Sequence, residues 1–256
     1  MLFGGHVKSR QDVLFLSSHG FDFGEVVFRD SMLRGFCQDL QSGAGLRKDF
    51  FLIAHGPSEG DPNDVSNLWQ NYYPKLLSTI EMAEKLGIHF LTVHLWFDPR
   101  FVKQNVLTEK LRFLEAIFEA GALHHVLISL ENLSENSKVL ALVVHHVPEI
   151  SLTLDVGHGE LLAQRNTAYD IVNDLYFSIG HVHLHDNFGG NGVKDDLHLP
   201  IGLGKIEIKQ ILLRLMEKGY DGTVTLELKQ DELQDSLNKV KSMVAGFIEP
   251  WLISAL

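Results

Sequence analysis

The stretch IGHVHLHDNFGGNGVKDDLHLPIGLG, residues Ile179–Gly204, carries four of the fourteen histidines of the chain. Its first half, HVHLHD, alternates with the two-residue period of a β-strand, so that His181, His183 and His185 share one face. Their ring nitrogens are costly to bury without partners, which favours a metal site or a polar substrate pocket. The glycine-rich second half reads as a long loop, and such loops in compact domains are usually functional.

Outward from this stretch, short apolar runs alternate with helical runs. Strands are predicted at Leu2–Val7, Phe23–Phe28, Phe50–His55, Phe90–Leu95, Val126–Leu130, Ser151–Val156, His181–His185 and Thr223–Leu228. Helices are predicted at Asp12–His19, Ser31–Gln41, Asn67–Leu86, Leu107–Ala120, Ser137–His146, Tyr169–Ser178, Ile206–Lys218 and Leu233–Ile253. Because the strands are nearly all apolar, they suit a parallel sheet buried on both faces.

Eight βα units in 256 residues predict an α/β fold of the (β/α)8 TIM-barrel type, formed by a single domain over residues 1–256. A doubly wound open sheet is the alternative. Its dinucleotide-binding form would carry a glycine fingerprint after the first strand, and the sequence lacks one.

Composition narrows the class of protein. The net charge of −11 weighs against a broad nucleic-acid-binding surface. The single Cys37 excludes an intramolecular disulfide and fits a reducing cytoplasm. The first residues lack the apolar core of a signal peptide, and no apolar run reaches the length of a membrane span. We expect a soluble cytoplasmic protein of undetermined oligomeric state.

Histidines and acids fall at or near the carboxyl ends of the predicted strands, which meet at one face of a (β/α)8 barrel. The set comprises His55, His94, Glu131, Asp155, His158, His183 and Glu227, and the loop after the seventh strand can add Asp196 and His198. These are common metal-ligand types, whereas a rim that is merely solvated would take any polar type, including the Lys and Arg that these strand ends lack. The sequence therefore predicts a metal centre at this mouth. The roles of His6 and Glu25, in the first two strands, stay open.

The segments LISLEN, LTLDVGHG, HVHLHDN, DDLHLPIGLGKI and TLELK resemble the xylose isomerase-like TIM-barrel superfamily, and most of all its sugar phosphate isomerase/epimerase branch. The resemblance implies a divalent ion bound by Glu131, Asp155, His183 and Glu227. It also implies that Glu131 and Glu227 exchange protons with the sugar through a metal-stabilised enediolate. Mixed nitrogen and oxygen ligation suits Mn, Zn or Co.

The same superfamily contains endonuclease IV, which cuts DNA at abasic sites with three zinc ions. Its nine ligand positions are all filled here, with His55, His94, His158, Asp196 and His198 added to the four ligands above, so that one to three ions are expected. However, the loop GPSEGDPND after His55 is acidic, which disfavours DNA. A different metal-dependent reaction and a non-catalytic metal- or ligand-binding barrel are further alternatives.

The expected partner is a small sugar or sugar phosphate. Its binding residues are predicted to be His158, His185, Trp96, Phe97 and His198, because the aromatic loop LWFDPRFVKQ suits the wall of a small pocket. Lys205 is a candidate for contacting a phosphate. The sequence leaves open which sugar is bound and whether it is phosphorylated.

Overall fold

Eight parallel strands close into a barrel in the computed structural model, which describes residues 1–28 and 46–253. They are β1 Leu2–Val7, β2 Phe23–Val27, β3 Phe51–His55, β4 Phe90–Val93, β5 Leu127–Glu131, β6 Ser151–Asp155, β7 Ile179–Leu184 and β8 Thr223–Leu226. Each strand pairs with the next in the chain, and β8 pairs with β1 to close the ring. The predicted (β/α)8 fold in a single domain is confirmed.

Helices separate most of the strands. They are α1 Arg10–Ser18, α2 Tyr73–Lys85, α3 Gln104–Leu123, α4 Ser137–His146, α5 Ala168–Leu175, α6 Ile208–Glu217 and α7 Gln230–Ile253. A helical turn at Val65–Asn67 and a π-helical turn at Leu68–Tyr72 lead into α2. The helix predicted at Ser31–Gln41 lies outside the described residues. None of the helices in the described parts of the chain is long and apolar enough to cross a membrane.

The outward face of the strands is apolar, whereas the inward face combines many polar side chains with aromatic ones such as Phe23 and Phe90. Residues that face the helices, such as Leu91, Ile128 and Val182, are fully buried in the hydrophobic core. Residues at the alternate positions point into the barrel, where Thr92 Oγ1 lies 3.1 Å from Thr153 Oγ1 across the ring. The strands are buried on both faces, as expected, but many of the side chains that face the interior of the barrel are polar.

Several strands end at different residues from those predicted. β4 stops at Val93 and β8 at Leu226, two residues early in each case, while β5 runs on to include Glu131. His94 and Glu227 therefore follow their strands directly. At these points the chain leaves the sheet, and the polar side chains at its upper edge surround the open mouth of the barrel.

Candidate metal centre

Four side chains from consecutive strands or strand ends converge at the mouth. Nδ1 of His183 lies 3.4 Å from Glu131 Oε1, 3.2 Å from Glu227 Oε1 and 3.8 Å from Asp155 Oδ2. His183 Nδ1 and Asp155 Oδ2 are buried without an aligned hydrogen-bond partner. Buried polar atoms are rarely left in this state, and three carboxylates around one imidazole are a donor set that fits a divalent cation.

Glu131 presents its second oxygen to another pair of histidines. Its Oε2 lies 2.8 Å from His94 Nε2 and 3.6 Å from His55 Nε2. Nδ1 of His55 lies 3.0 Å from the carbonyl oxygen of Gly56, and a proton shared there leaves Nε2 free to bind a cation. The three side chains can hold an ion beside the first one, with Glu131 between the two.

The loop after β7 supplies a third group. Asp196 Oδ2 lies 3.4 Å from His158 Nε2 and 3.2 Å from His198 Nε2. Nδ1 of His198 faces the carbonyl oxygen of Glu227 at 3.2 Å, which leaves the Nε2 atom of His198 free to bind a cation. The structure therefore brings all nine residues expected for metal binding to one mouth.

Glu25 supports this centre from below. It is fully buried, and its carboxylate lies 3.1 Å from His183 Nε2 and 3.4 Å from His181 Nε2. A carboxylate on the far nitrogen of a ligating histidine fixes the orientation of the ring and raises its basicity. His181, whose Nδ1 is 2.7 Å from Thr223 Oγ1, belongs to this lower layer and does not reach the mouth. The sequence signal for Glu25 was an acid inside an apolar strand.

Two side chains that position the site were missed in the sequence. Asn132 bonds both backbone groups of Asp155, accepting from its N–H at 2.8 Å and donating to its carbonyl at 2.9 Å. Asp186, fully buried, accepts four backbone N–H groups from the loop after β7, those of Asn187, Gly202, Gly204 and Ile206. Each directly follows a residue already singled out, in LISLEN and HVHLHD, and this adjacency was the available signal.

His185 lies deeper than predicted. It is fully buried, its ring stacks on His198 with 3.9 Å between centroids, and its Nε2 is 3.3 Å from Asp155 Oδ1. A Cβ atom at Gly157 would stand 2.0 Å from the His185 ring, which explains the glycine in DVGHG. His185 packs beneath the loop that carries His198 and belongs to two groups that could hold an ion, and its contact with substrate stays a prediction.

The carboxylates and histidines of the cluster stabilise each other in their charged forms. Burial opposes the protonated form of His183, yet Glu25, Glu227 and Glu131 raise its pKa well above the usual value. Burial also lowers the pKa of His198, but the carboxylates of Asp196 and Glu227 outweigh this and raise the pKa to about 9. Since a metal ligand must be unprotonated, a cation would compete with protons here.

The sequence profile of the xylose isomerase-like TIM barrel matches residues 13–245, most of the chain. The chain belongs to this family. Among curated relatives of this xylose isomerase-like barrel is an uncharacterized protein of Methanocaldococcus jannaschii. It is 25% identical over 253 residues, which cover 91% of this chain and 83% of the relative.

Solved structures resemble this xylose isomerase-like barrel over nearly its whole length. A D-tagatose 3-epimerase-like protein is 25% identical with a TM-score of 0.78 and full coverage of both chains. D-psicose 3-epimerase with D-tagatose from Clostridium cellulolyticum H10 is 15% identical, with a TM-score of 0.72 and coverage of 95% and 99%. The IOLI protein with a binding zinc atom is 14% identical, with a TM-score of 0.75 and coverage of 96% and 97%. Sugar epimerases are thus among the structural neighbours, which supports an isomerase or epimerase at the level of the family.

Two cavities open beside the cluster of this xylose isomerase-like barrel. The one at the mouth, about 410 Å³, is lined by His6, whose Nε2 is 2.9 Å from Glu227 Oε1, and by His158 and His198. The other, about 390 Å³, is lined in part by Trp96. Phe97 was predicted to contact the substrate, but it lines neither cavity. Its side chain is 3% exposed and lies within the hydrophobic core.

Proposed function

We propose that this protein is a divalent-metal-dependent sugar isomerase or epimerase. The observation that carries the proposal is the position of two glutamates around one histidine. Glu131 on β5 and Glu227 after β8, three strands apart on the ring, each place an oxygen within 3.4 Å of His183 Nδ1. Two carboxylates that approach one point from different sides can take a proton from one face of a sugar and return it to the other.

Glu131, Asp155, His183 and Glu227 would hold the ion, and their mixed nitrogen and oxygen donors suit Mn, Zn or Co more than Ca. A divalent ion there supplies positive charge that stabilises negative charge on substrate oxygens. Burial disfavours ionisation of both glutamates, but His94 and His183 beside Glu131, and His183 and His6 beside Glu227, hold the pKa of each well below the usual value. Both are therefore carboxylates that can accept a proton.

The substrate in this proposal is a small sugar. A cavity of about 410 Å³ has room for a monosaccharide beside the four ligands. His158 and His198 line it and can hydrogen-bond sugar hydroxyls when they are not holding a further ion. Lys205, a candidate for a phosphate contact, lies 3.2 Å from Glu160 in an ion pair. Because Lys8 and Lys229 also line the cavity, the proposal covers both free and phosphorylated sugars.

Exchange of substrate protons with solvent tests the reaction. Metal-loaded protein is incubated with a panel of ketoses in D2O, and deuterium at the carbon next to the carbonyl is followed by NMR. Glu131→Gln and Glu227→Gln should each lower the rate by roughly a hundredfold or more, the usual contribution of acid–base catalysis. Glu149→Gln, at an exposed turn, is the matched control and should leave the rate unchanged. Wild-type rates in both active-site variants would refute the proposal.

A second candidate is an abasic-site endonuclease. One observation favours it: the carboxylates around His183 lie beside two groups whose ligand atoms can each hold an ion, His55–His94–Glu131 and His185–Asp196–His198. The net charge of −11 opposes it, because binding of duplex DNA draws on a positive surface. Incubation of zinc-loaded protein with a duplex containing one abasic site decides between the two. Strand cleavage that is lost in Glu131→Gln but kept in Glu149→Gln would establish the endonuclease.

A further inference from the structure

We propose that the cavity lined by Trp96 is an apolar subsite, and that the substrate carries an aromatic or branched aliphatic substituent that fills it. The inference rests on the proposed function for the polar half of the substrate, the half that faces the metal ligands. It adds a substrate class to that function: a hydroxy-ketone or sugar bearing an apolar group, rather than a free sugar alone.

The walls of the cavity are built from large apolar side chains. Trp96 and Phe101 lie with ring centroids 5.5 Å apart on the loop after β4. Leu133 comes from the loop after β5, and Leu161 and Leu162 come from the loop after β6. Side chains from three separate loops thus enclose a volume of about 390 Å³, which is large enough for a substituted ring.

Two polar residues in the lining have their side-chain atoms engaged elsewhere. Glu59 pairs with the buried Lys110 through Oε1, and its Oε2 accepts the backbone N–H of Trp96 at 3.0 Å. Ser134 donates its hydroxyl to Asp98 at 2.8 Å. A sugar hydroxyl placed against Glu59 or Ser134 would lose hydrogen bonds to water without regaining them, whereas an apolar group would lose none. The other polar side chains of the lining are His94, His158 and Asp196, which it shares with the cavity at the mouth, and Ser58 and Asn191, which are exposed to solvent.

Leu162 is held in an unfavourable backbone conformation at this wall. Its φ of 56° lies in the left-handed region that side chains seldom adopt. Its N–H donates to the Gly190 carbonyl at 2.7 Å, and its own carbonyl accepts from Arg100 at 2.8 Å. Conformations of this kind persist where the surroundings over-determine them and cluster at ligand sites. The leucine is thus fixed against the cavity by the loops after β4 and β7.

The subsite is continuous with the metal centre. His94, His158 and Asp196 line both cavities, so the two volumes meet at ligands of the candidate centre. A molecule whose polar oxygens face Glu131 and Glu227 can therefore extend its other end past these three side chains. This connection makes the apolar cavity part of the substrate site.

Two probes with the same hydroxy-ketone head test the subsite. 2-Hydroxyacetophenone carries a phenyl ring where dihydroxyacetone carries a hydroxymethyl group, and their binding to zinc-loaded protein is measured by calorimetry. We expect the phenyl compound to bind about tenfold more tightly or better, as burial of a ring implies. Leu162→Asn keeps a residue that tolerates the left-handed backbone but makes the wall polar, and it should remove most of that preference. Leu142→Asn, at a leucine 70% exposed on α4, is the matched control.

Each outcome has a definite meaning. Equal affinity for the two probes, no binding of either, or equal effects of Leu162→Asn and Leu142→Asn would overturn the subsite. Phe101→Ala serves as a second variant should Leu162→Asn unfold, and it should also weaken phenyl binding. Tight binding of the phenyl compound without isomerisation of any ketose would support the subsite and refute the proposed function. Rapid epimerisation of free ketoses without a preference for the phenyl compound would support the proposed function and refute the subsite.

Discussion

Glu25 Oε1 lies 3.1 Å from Nε2 of His183, on the far side of the ring whose Nδ1 faces Glu131 and Glu227. Burial alone would raise the pKa of Glu25, but His183 and His181 hold it well below the usual value, so the group is a carboxylate. A buried negative charge thus fixes which nitrogen of His183 is available to a metal.

Glu25→Gln should therefore weaken metal binding without removing a ligand. The amide keeps the size of the side chain but not its charge, and loss of such a partner typically costs about 10- to 100-fold in affinity. Competition for zinc against a chromophoric chelator measures the change, and Glu84→Gln, on the surface of α2, is the control. Unchanged zinc affinity in Glu25→Gln would contradict this role.

The stability of the metal-free protein should fall between about pH 6.5 and about pH 9, whereas that of the metal-loaded protein should stay nearly constant over the same range. The pKa of His198 is raised to about 9, above the value of about 6.5 for an unfolded chain. In metal-free protein this group therefore contributes stability that is complete below about pH 6.5 and is lost as the pH rises to about 9. His158 and His183, whose pKa values are also raised, act in the same direction.

A bound ion removes this trend, because it displaces those protons and its tighter binding at higher pH offsets the loss. Thermal unfolding is compared for zinc-loaded and chelator-treated protein at about pH 6.5 and about pH 9. The difference between the two midpoints should widen as the pH rises. A constant difference would show that the histidines do not exchange protons for metal.

Asp186→Asn should destabilise the loop after β7. The carboxylate accepts four backbone N–H groups, and an amide offers only one oxygen in place of two. A buried donor left unpaired costs about 1–3 kcal/mol, which corresponds to a fall in Tm of roughly 2–12 °C for each such donor in a chain of this size. Calorimetry measures Tm, with Asp235→Asn on the exposed side of α7 as the control. A wild-type Tm would rule out this anchoring role.

Lys110→Met should destabilise the fold because it leaves the carboxylate of Glu59 buried without its cation. Lys110 is fully buried and Glu59 nearly so, and removal of one partner of such a pair costs about 3–5 kcal/mol. Urea unfolding measures the free energy of unfolding. The double variant Glu59→Gln with Lys110→Met should regain part of the loss. Equal destabilisation in the single and double variants would show that the charge on Glu59 is not the cause.

The fold was predictable because eight short apolar runs alternate with helical runs along the chain, and some of those runs show the two-residue period of a strand. In LISLEN and TLELK the apolar residues that pack on the helices alternate with the polar residues that face the barrel, and glycines end several of the helices. The strand boundaries were less predictable. Leu95 and Leu228 continue an apolar run beyond the point where the last pairing with the neighbouring strand occurs.

The residue types of the metal centre were determined by the sequence, since the position of an acid or a histidine at the end of a strand in a closed barrel fixes the face on which it lies. Only the tertiary structure decided the partners. The pattern HVHLHD does not distinguish His181, His183 and His185. In the barrel, His181 contacts Glu25 and Thr223, whereas His183 lies among Glu131, Asp155 and Glu227. His185 lies beneath His198. A period of two residues sets the face of a strand, whereas the height of a side chain within the barrel depends on the stagger of all eight strands.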